Sequence, residues 1–299
     1  QGYSSAASDV YKRQAEGLNY GLGFMVIFML HFTVATKQPA MTAARFAEAV
    51  EKNPQGKTLN MKLAQLLVDV FRSQSVAVLG NVVVAMGLAA LIAFVYQHQT
   101  GEPLMNSEKI AYQLHRIDPL DGSLWFAAIA GVWLFCSGII SGYFDNRSNY
   151  LNMRMRLAQH PLLKKLMSEK SRVKFANYMH ENYGSLIGNF CFGMLLGLTG
   201  LVGYLTHLPL DIRHVAFSSA NVGYIAVSGQ FTYSLLLQCI GFVLLIGLVN
   251  LIVSFSLTLW VALRSLNAEI DSWWPIWHEV CQIVKKRPLS LFLPIQLDK

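Results

Sequence analysis

FTYSLLLQCIGFVLLIGLVNLIVSFSLTLWVAL, residues 231–263, runs for 33 positions without an Asp, Glu, Lys or Arg. As a helix rising ~1.5 Å per residue it would be about 50 Å long, yet about 20 helical residues cross the hydrocarbon of a bilayer. It must therefore tilt, break near Gly241 or Gly247, or begin above the membrane. Its apolarity is continuous and not alternating, and an unclosed sheet in lipid would leave backbone groups unpaired. The stretch reads as helix.

Working outward, four more stretches lack those four residue types and are long enough to span: 18–36, 75–96, 124–144 and 184–206. The expected fold is all-α, a polytopic helical membrane bundle with about five transmembrane helices. Composition agrees: 54% of the residues are hydrophobic and only 14% charged, against about 25% charged in soluble domains. Residues 1–14, including GYSSAASDVYKRQ, resemble a translated sequencing-adapter tail and are expected to be an assembly artefact. The helical transmembrane domain is then residues 15–299.

Basic residues set the orientation. Loop 37–74 holds Lys37, Arg45, Lys52, Lys57, Lys62 and Arg72, loop 145–183 holds eight Lys or Arg, and the tail 264–299 holds five. The two intervening loops hold only Lys109, Arg116 and Arg213. Both large loops and the C-terminus are thus expected on the cytoplasmic side of a bacterial inner membrane. The net charge of +7 is largely explained by this topology. The expected partners are the lipid bilayer and anionic head groups at the basic loops, each cation near the surface contributing about 1 kcal/mol. Nucleic acid would also fit the charge but is not required by it, and the oligomeric state is not legible. Leu162, Leu163, Leu166 and Met167 recur at helical spacing among the cations of 145–183, as in an amphipathic helix lying in the interface.

Within the spans the notable polar residues are His31, Asn81, Asn189, Gln238 and Asn250, which should face the bundle interior because an unpaired polar group in lipid is costly. They read as interhelical hydrogen bonds or as the lining of a path. In the fourth span Gly184 and Gly188 share one side, and Gly193, Gly197 and Gly200 the other. That places this helix between two neighbours. Gly138 and Gly142 form a similar patch in the third span.

Soluble-enzyme signals fail. Gly56, Lys57 and Thr58 end a phosphate-loop pattern whose first glycine is replaced by Glu51, and His278 with Glu279 begins a metalloprotease pattern in which Gln282 replaces the second histidine. The four cysteines, 136, 191, 239 and 281, show no metal or disulfide spacing. No metal site and no cofactor is expected.

HFTVATKQPAMTAA (31–44), GVWLFCSGIISGYFDNRSNY (131–150), NYGSLIGNFCFGMLLG (182–197) and LPLDIRHVAFSSANVGYIA (208–226) together resemble a family of bacterial multispanning membrane proteins labelled site-specific recombinase. The resemblance covers residues 17–299. It implies a longer natural chain, with a helical soluble region upstream, and this sequence as a fragment. The label implies covalent DNA chemistry, which needs an activated nucleophile and cations gathered around one phosphate. None of the eight histidines is followed by arginine three places later, and no arginine-rich soluble α/β domain is present. Whether the chain is an enzyme stays open, and no catalytic residue is assigned.

The candidate polar site is Asp211, Arg213, His214, Ser218 and Asn221. These residues could bind an anion or form a general-base pair. Equally, Pro209 and the sudden polarity fit a span terminus, with Ser218, Ser219 and Asn221 in a turn or short re-entrant segment on the non-cytoplasmic side. Asp145, Asn146 and Arg147 are expected to end the third span at its cytoplasmic edge, Arg147 reaching lipid phosphate, or to join a cytoplasmic binding site. Trp273, Trp274 and Trp277 suggest a tail returning to the membrane surface. Two functions remain: a structural, transport or envelope-related membrane protein, or a recombinase using an upstream region or the basic loops.

Overall fold

The computed structural model describes residues 2–29, 38–52, 56–229 and 232–291. Among these the regular structure is entirely helical, and four helices are long and apolar enough to cross a membrane. The expected fold class holds, with four such helices among the described residues. The remaining expected span, 18–36, falls partly on residues outside the described ones.

The helices are α1 (Gly2–Met29), α2 (Gln38–Lys52), α3 (Lys57–Thr100), α4 (Ser107–Ile117), α5 (Ser123–Tyr150), α6 (Met153–Gln159), α7 (Pro161–Leu166), α8 (Glu169–Thr206), α9 (Val215–Ala226), α10 (Tyr233–Ser265) and α11 (Trp274–Lys286). Short 3-10 turns occupy Pro119–Asp121 and Pro288–Leu291. Side-chain caps fix several starts by satisfying orphan amides: Asn106 accepts from the Lys109 amide at 2.9 Å, Ser168 from Ser171 at 3.4 Å and Thr232 from Leu235 at 3.4 Å. The end of α3 is set by Gly101, left-handed at φ 75°, whose amide returns to the Gln97 carbonyl at 2.9 Å. A side chain would be strained there.

Helix α10 is continuous through Gly241 and Gly247 over 33 residues. The 231–263 stretch therefore does not break. Helix α3 runs unbroken for 44 residues, about 66 Å, so the stretch 37–74 expected as a loop is largely helix. Asp69 and Arg72 do not interrupt it, because Asp69 pairs with Arg72 at 2.9 Å and accepts from Gln65 at 3.1 Å along the same helix face. Helix α5 likewise continues past Asp145, Asn146 and Arg147 to Tyr150, so these residues do not terminate it.

The chain divides into two compact units, Gln1–Lys37 with Trp133–Leu210, and Gln38–Val132 with Asp211–Lys299. In the first, α8 lies between α1 and the later part of α5, as its two glycine faces predict. A Cβ on Gly184 or Gly188 would collide with Ser141 of α5, and one on Gly193 or Gly197 with Tyr20, Gly21 or Gly17 of α1. On α5 the close approach is made by Ser137 and Ser141, both fully buried. Gly142, by contrast, faces open space. The expected small patch on the third span is thus made by serines one position earlier. Trp133 donates to Thr199 at 2.7 Å across the same pair.

In the second unit α3 and α10 run antiparallel. Val78 meets Gly247, while Leu59 and Leu63 share a core with Leu259, Phe46 of α2 and Ile276 of α11. A second core gathers Val82, Ala127, Val215, Val222, Cys239, Val243 and Ile246. Trp273 stacks on Phe46 at 5.9 Å and, like Trp274, is exposed.

Candidate functional site

The polar stretch at 211–221 sits among α4, the start of α5 and the middle of α10. Residues Leu208–His214 are non-helical, so their backbone groups need other partners. Asn250, buried midway along α10, supplies three bonds: its amide donates to Ala127 O at 2.7 Å and to Arg213 O at 3.0 Å, and its oxygen accepts from the Val215 amide at 3.2 Å. The Arg213 amide donates to Phe126 O at 3.2 Å. Extended backbone is thereby tied to three helices.

Asp211 lies between two guanidinium groups. Arg116 Nη2 reaches both carboxylate oxygens at 3.0 Å, and Arg213 Nη1 stands 2.6 Å from Oδ2. Arg213 also donates from Nε to Arg116 O at 2.7 Å and from Nη1 to Ile212 O at 2.8 Å, with its guanidinium over the Phe126 ring. It is only 8% exposed. Burial lowers its pKa from the usual value, and the neighbouring Asp211 opposes that shift. His214 is buried, and loss of solvation pushes its pKa down to about 4. It is neutral at pH 7. Its Nδ1 accepts from the Ala216 amide at 3.4 Å and so caps α9.

Ser218 and Ser219 are buried inside α9 and not in a turn. Ser219 donates to Val215 O at 2.6 Å, and Asn221 donates to Gln113 of α4 at 3.1 Å. Gly223 allows α9 to rest on the Met86 backbone of α3. All five expected site residues thus lie in one neighbourhood. Sequence reading missed Arg116, Gln113 and Tyr112, the last under the Arg116 guanidinium at 5.5 Å. In a segment that also holds Glu108, Lys109, Asp118 and Asp121, Arg116 carries no local signal that could have flagged it. Chemically the cluster is spent on itself: the Asp211 carboxylate holds both arginines, and the buried His214 nitrogen holds a helix start. The Arg116 Nε is buried without a partner among the described residues.

Other expected residues are dispersed. Asp145 accepts from the Gly184 amide at 3.0 Å, Arg147 donates to the Tyr143 hydroxyl at 3.2 Å, and Asn146 is exposed. Asn189 is fully buried and donates to Ser185 O at 2.8 Å, Asn81 is half-buried, and His31 lies outside the described residues. Gln238 corrects the interior expectation: it is exposed on α10 at the rim of a small cavity with His115, Asp118 and Asp121. Those polar neighbours are what an exposed amide can use. Among the described residues no group of His, Cys, Asp or Glu is placed to hold a metal ion.

Four helices long and apolar enough to cross a bilayer point to a polytopic helical membrane protein. The chain belongs to the family described as site-specific recombinase, whose model matches residues 3–294. No curated protein and no solved structure matches it.

Proposed function

We propose that this chain is a structural, envelope-related component of a bacterial inner membrane, multi-pass with its C-terminus in the cytoplasm, and that its own residues do not cut DNA. A family description is not a mechanism. The observation that carries this reading is the commitment of Asp211, Arg213 and His214 to the protein's own backbone and to one another. Phosphodiester chemistry needs free cations around the reacting group.

Anionic lipid is the proposed partner of the basic residues. Lys164, Lys165, Lys170 and Lys174 are exposed beside Leu162 and Leu166, which are 61% and 79% exposed. Apolar side chains among cations suit a bilayer surface.

The second reading, recombination, has specific support in the family description and in the gathering of Tyr112, Arg116, Arg213 and His214. One experiment separates the two. Leu120, 93% exposed, and Lys165 are each replaced by cysteine in a chain lacking the native four, and purified protein is incubated with supercoiled DNA. Expected are labelling of Leu120→Cys by impermeant maleimide on intact cells, labelling of Lys165→Cys only after permeabilisation, and no protein–DNA adduct. A covalent adduct abolished by Tyr112→Phe would overturn the proposal.

A further inference from the structure

A polar cavity of about 330 Å³ lies between α3, α11 and the turn that follows it, lined by Gln65, Asp69, Arg72, Lys286, Arg287 and Ser290. Three lining side chains are cationic and one is anionic. Asp69 is already engaged by Arg72 at 2.9 Å and Gln65 at 3.1 Å, which leaves the lining with a net charge of about +2 (+3 and −1). Ser290 is only 5% exposed, and its hydroxyl has no hydrogen-bond partner among the described residues. A buried hydroxyl without a partner is rare. Here it stands in a cavity with spare positive charge.

Beside it runs an apolar groove of about 720 Å³, whose walls include Phe71, Phe255, Trp260, Trp277, Val284 and Leu291. The two are lined by consecutive residues of the same elements: Arg72 and Phe71, Ile283 and Val284, Ser290 and Leu291. A cationic recess with a hydroxyl donor next to an oily channel matches one amphiphile. We propose that the cavity binds the phosphate of an anionic phospholipid, through Arg72, Lys286, Arg287 and Ser290, with an acyl chain along the groove. Guanidinium and hydroxyl donors suit phosphate oxygens. Asp69 faces the same cavity, and its pairing with Arg72 limits its repulsion of the headgroup. The inference rests on the anionic-lipid reading above and narrows it to one site.

The test is native mass spectrometry of the full chain in detergent, supplied with phosphatidylglycerol or with phosphatidylcholine of the same chains. The wild type is expected to retain one phosphatidylglycerol in preference to phosphatidylcholine. Ser290→Val and Arg287→Gln should each lower that retention about tenfold, the loss of one charge-assisted bond, while Arg154→Gln with Arg156→Gln leaves it unchanged. Retention unaffected by both cavity variants would overturn the site, as would equal loss in the Arg154 and Arg156 variant, which would indicate diffuse attraction. Inorganic phosphate bound in a Ser290-dependent way, with no lipid retained, would assign the cavity to a soluble phosphate compound and overturn the lipid. Absence of any preference for phosphatidylglycerol, with both cavity variants alike, would instead sink the broader anionic-lipid reading.

Discussion

Asn250 and Arg213, 37 residues apart in the chain, are joined by a hydrogen bond from a side-chain amide on α10 to a main-chain carbonyl at 3.0 Å. This bond anchors the non-helical segment before α9, because the same amide and its oxygen also hold Ala127 and Val215.

Asn250→Leu keeps the volume and removes all three bonds. Each buried backbone group left unpaired costs about 1–3 kcal/mol, less where the membrane-unfolded chain also finds hydrogen-bond partners. Thermal unfolding in detergent should show a lower Tm than wild type. An unchanged Tm would refute the anchoring role.

Asp211→Ala and Arg116→Ala should differ. Removing Asp211 leaves Arg213, whose side chain is 9% exposed, without its counter-charge, a change costing about 3 kcal/mol or more when a buried pair is broken. Removing Arg116, 27% exposed, leaves Asp211 still paired with Arg213. The Asp211 variant should therefore unfold at the lower denaturant concentration, and the reverse order would contradict the geometry.

In the first unit, Gly197→Leu should prevent α1 from docking on α8, whereas Gly142→Leu meets open space. Protease resistance of purified protein is the readout. Equal resistance in the two variants would count against the close approach of the helix backbones.

His214 predicts a pH dependence. Its pKa is about 4 when folded and about 6.5 when unfolded, so between these values the unfolded chain binds more protons. Stability should rise with pH through that window: the contribution is present above about pH 6.5 and is lost as pH falls toward 4. Tm measured from pH 7 to 4.5 should fall less steeply in His214→Asn than in the wild type. Parallel curves would show that other groups carry the acid sensitivity.

Continuous apolarity made the helical membrane fold legible, and the 100° spacing of Gly184, Gly188, Gly193 and Gly197 gave the two packed faces of α8. The length of α3 was hidden because Asp69 and Arg72 look like loop residues until their partners along the helix are known. Asp211, Arg213 and His214 were visible as a polar island, but their roles depend on Arg116 and Asn250, 95 and 37 positions from the residues they bind. Such long-range pairing has no local signal. Ser137 escaped notice because a buried serine that bonds its own helix, as it does to Leu134 O at 2.8 Å, packs almost as closely as glycine; the Ser141 hydroxyl, equally buried, has no partner among the described residues.

The shared carboxylate of Arg116, Asp211 and Arg213 also constrains how the sequence can drift. Loss of Asp211 strands both arginines, whereas loss of either arginine leaves the acid paired with the other, so tolerated histories should part with an arginine before they part with the acid. Descendants would then retain the acid with a constancy that folding alone is enough to produce.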